Sequence, residues 1–122
     1  MKRLMLAMLC AAGAAQANSA CDKPKNDFDD MYCLSKVYQE ADKTLNDSYA
    51  KLGSQLDADG KARLKAGQLK WIKSRNSQCS KPEGDAFYVD LQCATNTTIK
   101  RSQFLQDRVR ECASAGCQNG KL

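Results

Sequence analysis

MYCLSKVYQEADKTLNDSYAKL, residues 31–52, decides the fold. Met31, Leu34, Tyr38, Ala41, Leu45, Tyr49 and Leu52 recur at spacings of three and four. That period places them on one face of a helix. Asp27, Asp29 and Asp30 stand just upstream, where acidic side chains oppose the positive end of the helix dipole. Gly53 supplies a C-terminal stop. The first helix is therefore expected over Phe28–Leu52.

Downstream, Asp57-Ala58-Asp59-Gly60 reads as a turn with Asp59 as N-cap. A second helix follows over Lys61–Gln78. Leu64, Gln68, Trp71 and Arg75 form its stripe, with Leu69 and Ile72 alongside. Gly67 lowers helix preference locally and admits a close helix crossing. Ser80–Asp85 contains Pro82 and Gly84 and reads as a loop. Tyr88, Leu91, Thr95, Thr98, Ser102, Leu105, Val109 and Cys112 restore the helical spacing over Phe87–Glu111. That stripe is polar and small in its middle, so the core face is expected to lean toward Ala94 and Ile99. The β-branched run Thr97-Thr98-Ile99 weakens this helix at its centre. Ala113–Leu122 is a tail, and no segment alternates as a strand. The expected fold is all-α: an antiparallel helical hairpin plus a third long helix.

Upstream lie Lys2 and Arg3, an uncharged apolar stretch Leu4–Ala15, and Ala15-Gln16-Ala17. These are the parts of a secretory signal, with cleavage expected after Ala17 or Ala20. The stretch falls short of the roughly 20 apolar residues a membrane span needs. Neither Cys10 nor Cys21 sits in a convincing lipidation context, because Asn18 stands three places before Cys21. The expectation is a periplasmic or secreted product without a lipid anchor. Residues 1–20 are read as the signal and 21–122 as one domain.

Of seven cysteines, Cys10 falls in the signal. Cys21, Cys33, Cys79, Cys93, Cys112 and Cys117 remain, an even set in an exported chain, which implies three disulfides. Fifteen pairings are open. Proximity along the chain favours Cys21–Cys33, Cys79–Cys93 and Cys112–Cys117. With no histidine and no Cys-x-x-Cys, neither a zinc site nor a thioredoxin-like role is supported. No cofactor is expected.

The chain carries 19 basic and 14 acidic side chains, and 17 basic ones once Lys2 and Arg3 are removed. A net charge of +3 is too mild to argue for nucleic acid. Its distribution is uneven, since Gly60–Ser80 holds six basic residues and no acidic one. That segment suits packing beside the acidic first helix; a basic face for nucleic acid or anionic lipid is the competing reading. An enzyme lacks support: histidine, the commonest general base, is absent, and the carboxylate pairs Asp29/Asp30 and Asp57/Asp59 sit in caps and turns. The polar residues on the helix faces are read structurally. Asp42 pairs with Arg75 across the hairpin, Asn46 caps a buried network, and Trp71 fills the core.

Cys33, Ala41-Asp42, Leu45-Asn46 and Tyr49, then Gln68, Trp71-Ile72, Arg75-Asn76 and Cys79, then Cys93, Thr98, Arg101 and Leu105, together resemble the LprI-type lysozyme inhibitor domain. The likeness covers nearly all of residues 21–122. One departure is Asn76, where the family commonly has Asp after the Arg. The resemblance implies an exported, helical, disulfide-bonded bacterial protein that binds and inhibits a lysozyme-type muramidase, and no enzyme. The partner is then a protein, either a lysozyme or another wall hydrolase. The competing function is an exported binding module of another kind, an immunity protein against a delivered toxin or an envelope assembly factor. A lysozyme cleft holds two carboxylates. The Ser80–Asp90 loop, closed by Cys79–Cys93, is the segment expected to block it, through Ser80, Lys81, Glu83 and Asp85. Asp27, Asp29, Asp30, Glu40 and Asp47 on the first helix add negative potential toward a basic enzyme.

Overall fold

A computed structural model describes Cys21 and residues 23–122. The signal segment read in residues 1–20 lies outside the described residues. Helix α1 spans Asp27–Gln55, α2 spans Ala58–Gln78 and α3 spans Leu91–Ser114. A β-ribbon of β1 (Ser80–Glu83) and β2 (Ala86–Val89) stands between α2 and α3, and a 3-10 turn, Asn119–Lys121, closes the chain.

Each helix starts on a side-chain cap. Asn26 accepts the Asp29 N–H at 3.0 Å, Asp57 the Gly60 N–H at 2.7 Å, and Asp90 the Cys93 N–H at 2.9 Å. The second cap is Asp57 rather than Asp59, which lies inside the first turn and pairs with Arg63 at 2.9 Å. Starting the helix earlier keeps Gly60 buried. A Cβ there would meet Asn119 Oδ1 at 2.6 Å and Leu56 Cβ at 3.0 Å, so a larger residue would have to displace the Asn119 side chain. The first helix passes Gly53 and ends at Gln55.

The core gathers Leu45, Leu52, Leu56, Leu64 and Leu105, with Tyr49, Trp71, Phe104 and Leu122 packed around them. Leu52 and Leu105 are fully buried. Helices α1 and α3 lie against each other along their length, whereas α2 stands off from both. They run in the same direction: Asp30 and Leu34 lie beside Gln92 and Thr95, and Ser48 accepts a hydrogen bond from Gln106 at 3.3 Å. Helix α2 runs antiparallel to both, alongside the pair, with Gln68 meeting Arg101 and Arg75 meeting Thr98.

The polar stripe of α3 is its core face. Thr95, Thr98, Ser102 and Leu105 are buried with Ala94, while Ile99 is half-buried. Small side chains there let the α1 backbone come close. That packing also overrides the poor propensity of Thr97-Thr98-Ile99, and α3 is continuous through it. Met31, on the predicted face of α1, is exposed, because α3 only begins opposite that turn.

The segment expected as a loop followed by helix is a two-stranded antiparallel ribbon, with Lys81 opposite Tyr88 and Glu83 opposite Ala86. Phe87-Tyr88-Val89 are strand formers. Gly84 has φ +60° and among the described residues no non-glycine residue has positive φ, which fits a two-residue hairpin turn with glycine first. The ribbon is closed at its base by Asp90 N–H donating to Cys79 C=O at 2.8 Å. The cysteines pair as Cys21–Cys33, Cys79–Cys93 and Cys112–Cys117, with Cα separations of 5.5, 5.4 and 4.0 Å. Among the described residues no helix is long and apolar enough to cross a membrane.

Candidate functional site

Because α2 stands off from α1, long side chains bridge the gap. Six side chains, Tyr38, Arg75, Trp71, Arg101, Phe104 and Arg108, form a run of alternating rings and guanidinium groups. The Arg75 guanidinium lies 5.9 Å from the centre of Tyr38 and 5.0 Å from that of Trp71. Arg101 lies 5.9 Å from the Trp71 ring centre and 4.6 Å from that of Phe104, and Arg108 lies 5.0 Å from the Phe104 ring centre. Such contacts are worth about 0.5–2 kcal/mol each, more where water is excluded. Arg101 also donates Nε–H to Gln68 Oε1 at 2.9 Å, and burial lowers its pKa from the ordinary arginine value.

The motif residues line a groove of about 300 Å³ between α1 and α2. Leu45 and Gln68 form its buried floor, and Asp42, Tyr49 and Trp71 its walls. Asp42 faces Arg75 at 4.0 Å, a loose ion pair. The closer partners of Arg75 are Asn76, whose Oδ1 accepts from Nε and Nη2 at 3.3 and 3.2 Å, and Thr98, whose Oγ1 accepts from Nη1 at 3.4 Å. Asn46 does not cap a buried network. It is exposed on the rim and donates to Asp42 Oδ2 at 3.3 Å, because the neighbouring helix is too distant to cover it. Trp71 is half-buried and packs on the core edge.

A second groove, of about 360 Å³, separates the helices from the ribbon and shares Arg75 with the first. Tyr38 forms one wall and Phe87 and Val89 the other. The strand register puts Ser80 and Pro82 on the same ribbon face as Phe87 and Val89, and Lys81 and Glu83 on the opposite face with Tyr88. Lys81 Nζ stands 5.3 Å from the Tyr88 ring centre.

The predicted partner-binding residues thus separate. Lys81, Glu83 and Asp85 are exposed on the ribbon and its turn. Ser80 is half-buried at the base, its hydroxyl donating to the Asn76 carbonyl. The reading of a loop missed Phe87, Tyr88 and Val89, exposed by 76%, 52% and 52%. Phe87 and Val89 on one face of the ribbon and Tyr88 on the other make it a candidate contact element. Their signal was present: a run of strand formers directly after Gly84-Asp85.

The acidic start of α1 lies at the same end of the molecule as the ribbon, since α1 and α3 are parallel. Asp30 lines a shallow groove with Gln92, two residues after the Asp90 cap that ends the ribbon. Asp27 and Asp29 are exposed beside it.

Residues 14–116, most of the chain, match the family described as lysozyme inhibitor LprI. The chain belongs to the LprI family. Its matched span includes both grooves, the ribbon and five of the six paired cysteines; Cys117 lies just beyond. No curated protein and no solved structure matches the chain. Membership of an inhibitor family implies a protein partner, such as a lysozyme, and a non-enzymatic role. Three disulfides and an LprI domain fit an exported protein.

Proposed function

We propose that this LprI-family chain is exported to the periplasm or medium, where it binds and inhibits a lysozyme-type muramidase with the β1–β2 ribbon as its blocking arm. The observation that carries the reading is the arm itself. It is short, closed by Cys79–Cys93, and displays Phe87, Tyr88 and Val89 to solvent. Binding energy concentrates in aromatic anchors on preorganised supports.

The chemistry suits a glycosidase cleft. Such clefts carry two carboxylates about the scissile bond. Lys81 is exposed on the arm and offers them a cation, while Tyr88 beside it offers a flat ring. Asp27, Asp29, Glu83 and Asp85 surround the arm's end of the molecule and attract a basic enzyme. A ribbon of this size cannot by itself supply the roughly 800 Å² per partner of a stable complex. The rims of the two neighbouring grooves would supply the rest.

Lysis of bacterial cells by several lysozymes, followed with the oxidised protein present, tests the reading. Stoichiometric protection is expected. Phe87→Ala with Tyr88→Ala should weaken inhibition by about 30-fold or more. Lys81→Ala, Glu83→Ala and Asp85→Ala together should weaken it further at low salt than at high salt. Full inhibition by both folded variants would remove the arm from the mechanism. No inhibition of any muramidase would overturn the function.

A further inference from the structure

We infer that the outward face of α2 is a docking surface for an anionic lipid bilayer. This inference is separate from the blocking-arm reading except at Lys65 and Leu69, which also line the groove between α1 and α2. The core side of α2 is Leu64, Gln68, Trp71 and Arg75. Opposite it, at spacings of four, three and four, stand Ala62, Ala66, Leu69 and Lys73. Lys61 and Lys65 flank this row on one side and Lys70 on the other. All seven residues are exposed, Leu69 by 58%.

The charge of this face is not compensated. Arg63 is paired with Asp59, and from Gly60 to Gln78 no acidic side chain occurs. None of Lys61, Lys65, Lys70 and Lys73 forms an ion pair among the described residues. Four free ammonium groups therefore spread over 13 residues of helix, about 18 Å.

The pattern selects a bilayer over a soluble polyanion. Ala62, Ala66 and Leu69, closed by Lys73 and flanked by lysines, suit a lipid interface, where small and apolar side chains enter the headgroup region and lysine stems reach up to phosphates. Nucleic-acid surfaces instead draw on arginine forks and aromatic platforms. The outer face of α2 has no aromatic residue, and its one arginine is engaged by Asp59. With α2 on the surface, the arm is left at the end of the molecule, clear of the lysine row.

Each lysine near an anionic surface strengthens partitioning by about fivefold. The test is co-sedimentation of the full oxidised chain with vesicles of phosphatidylglycerol and phosphatidylethanolamine, against vesicles of phosphatidylcholine alone. Binding to the anionic vesicles only, released by salt, is expected. Lys61→Gln, Lys70→Gln and Lys73→Gln combined should lower partitioning by about a hundredfold. Because these side chains are exposed and unpaired, the variant keeps the parent's circular dichroism and its inhibition of lysozyme. Leu69→Gln should weaken the binding that survives at moderate salt. Equal binding to both vesicle types, no binding to either, or an unaffected triple variant would overturn the inference. So would stripping of the protein from anionic vesicles by a low concentration of heparin or duplex DNA, which would assign the face to a soluble polyanion.

Discussion

Replacing Cys79 and Cys93 together by alanine separates two contributions of one bond. The bridge joins residues 14 apart. In the chain-entropy treatment, closing a loop of about 15 residues stabilises the folded state by about 3 kcal/mol. Cys112–Cys117, with a separation of 5, should contribute only about 2 kcal/mol by the same relation. A domain of this size has a total stability of about 5–15 kcal/mol, so either loss is measurable. Urea unfolding of the oxidised variants is the assay. With a slope of about 1.5 kcal/mol/M, losing Cys79–Cys93 should lower the midpoint by about 2 M, and losing Cys112–Cys117 by somewhat less. The 79–93 pair also sits at the root of the arm, with Asp90 N–H bonded to Cys79 C=O across it. Its removal should therefore weaken lysozyme inhibition in conditions where the variant is still folded, whereas removal of Cys112–Cys117 should not. Equal destabilisation by the two changes would refute the loop-length reasoning. Undiminished inhibition without Cys79–Cys93 would refute preorganisation of the arm.

Three further outcomes are expected. Leu105→Ala empties a fully buried site in the central cluster and should cost about 2–5 kcal/mol by urea or thermal unfolding. Thr98→Val keeps the shape of a fully buried side chain but removes the acceptor for Arg75 Nη1; a loss of about 1–3 kcal/mol, absent when Arg75 is replaced first, would show the coupling in a double-mutant cycle. Asp57 has its pKa held below the ordinary carboxylate value, chiefly by the Gly60 N–H and then by the Asn119 side chain. Its stabilisation is thus present above the unfolded-state pKa and is lost as pH falls through the folded one; Asp57→Asn, which still caps, should flatten the acid limb of the stability profile, and an unchanged limb would contradict the assignment.

The two long repeats in 31–52 and 64–75 were readable because a helix with one buried stripe imposes a three-four spacing on its apolar residues. The polar stripe of α3 was readable as a period but not as a core, since Thr95, Thr98 and Ser102 are buried only through their close approach to α1. Phe87-Tyr88-Val89 were misassigned for the opposite reason. Four residues are too few to show a period, and the neighbouring helix pattern absorbed them. Their strand state depends on pairing with residues 80–83 and on the Cys79–Cys93 closure. Asp42 and Arg75 were correctly placed opposite each other, but Asn46 was not, because chain spacing carries no information about how far α2 stands from α1.

Local sequence, then, determined the helices, the even cysteine set and the run of lysines on α2, though not the caps, where Asp59 was read in place of Asp57. Tertiary structure decided which helices touch, which cysteines meet, and that the segment after Cys79 rises as an exposed ribbon. It also opened the grooves beside Arg75. These depend on the sizes of side chains that meet across the fold: small ones draw α1 and α3 together, while Trp71, Arg75 and Gln68 hold α2 away.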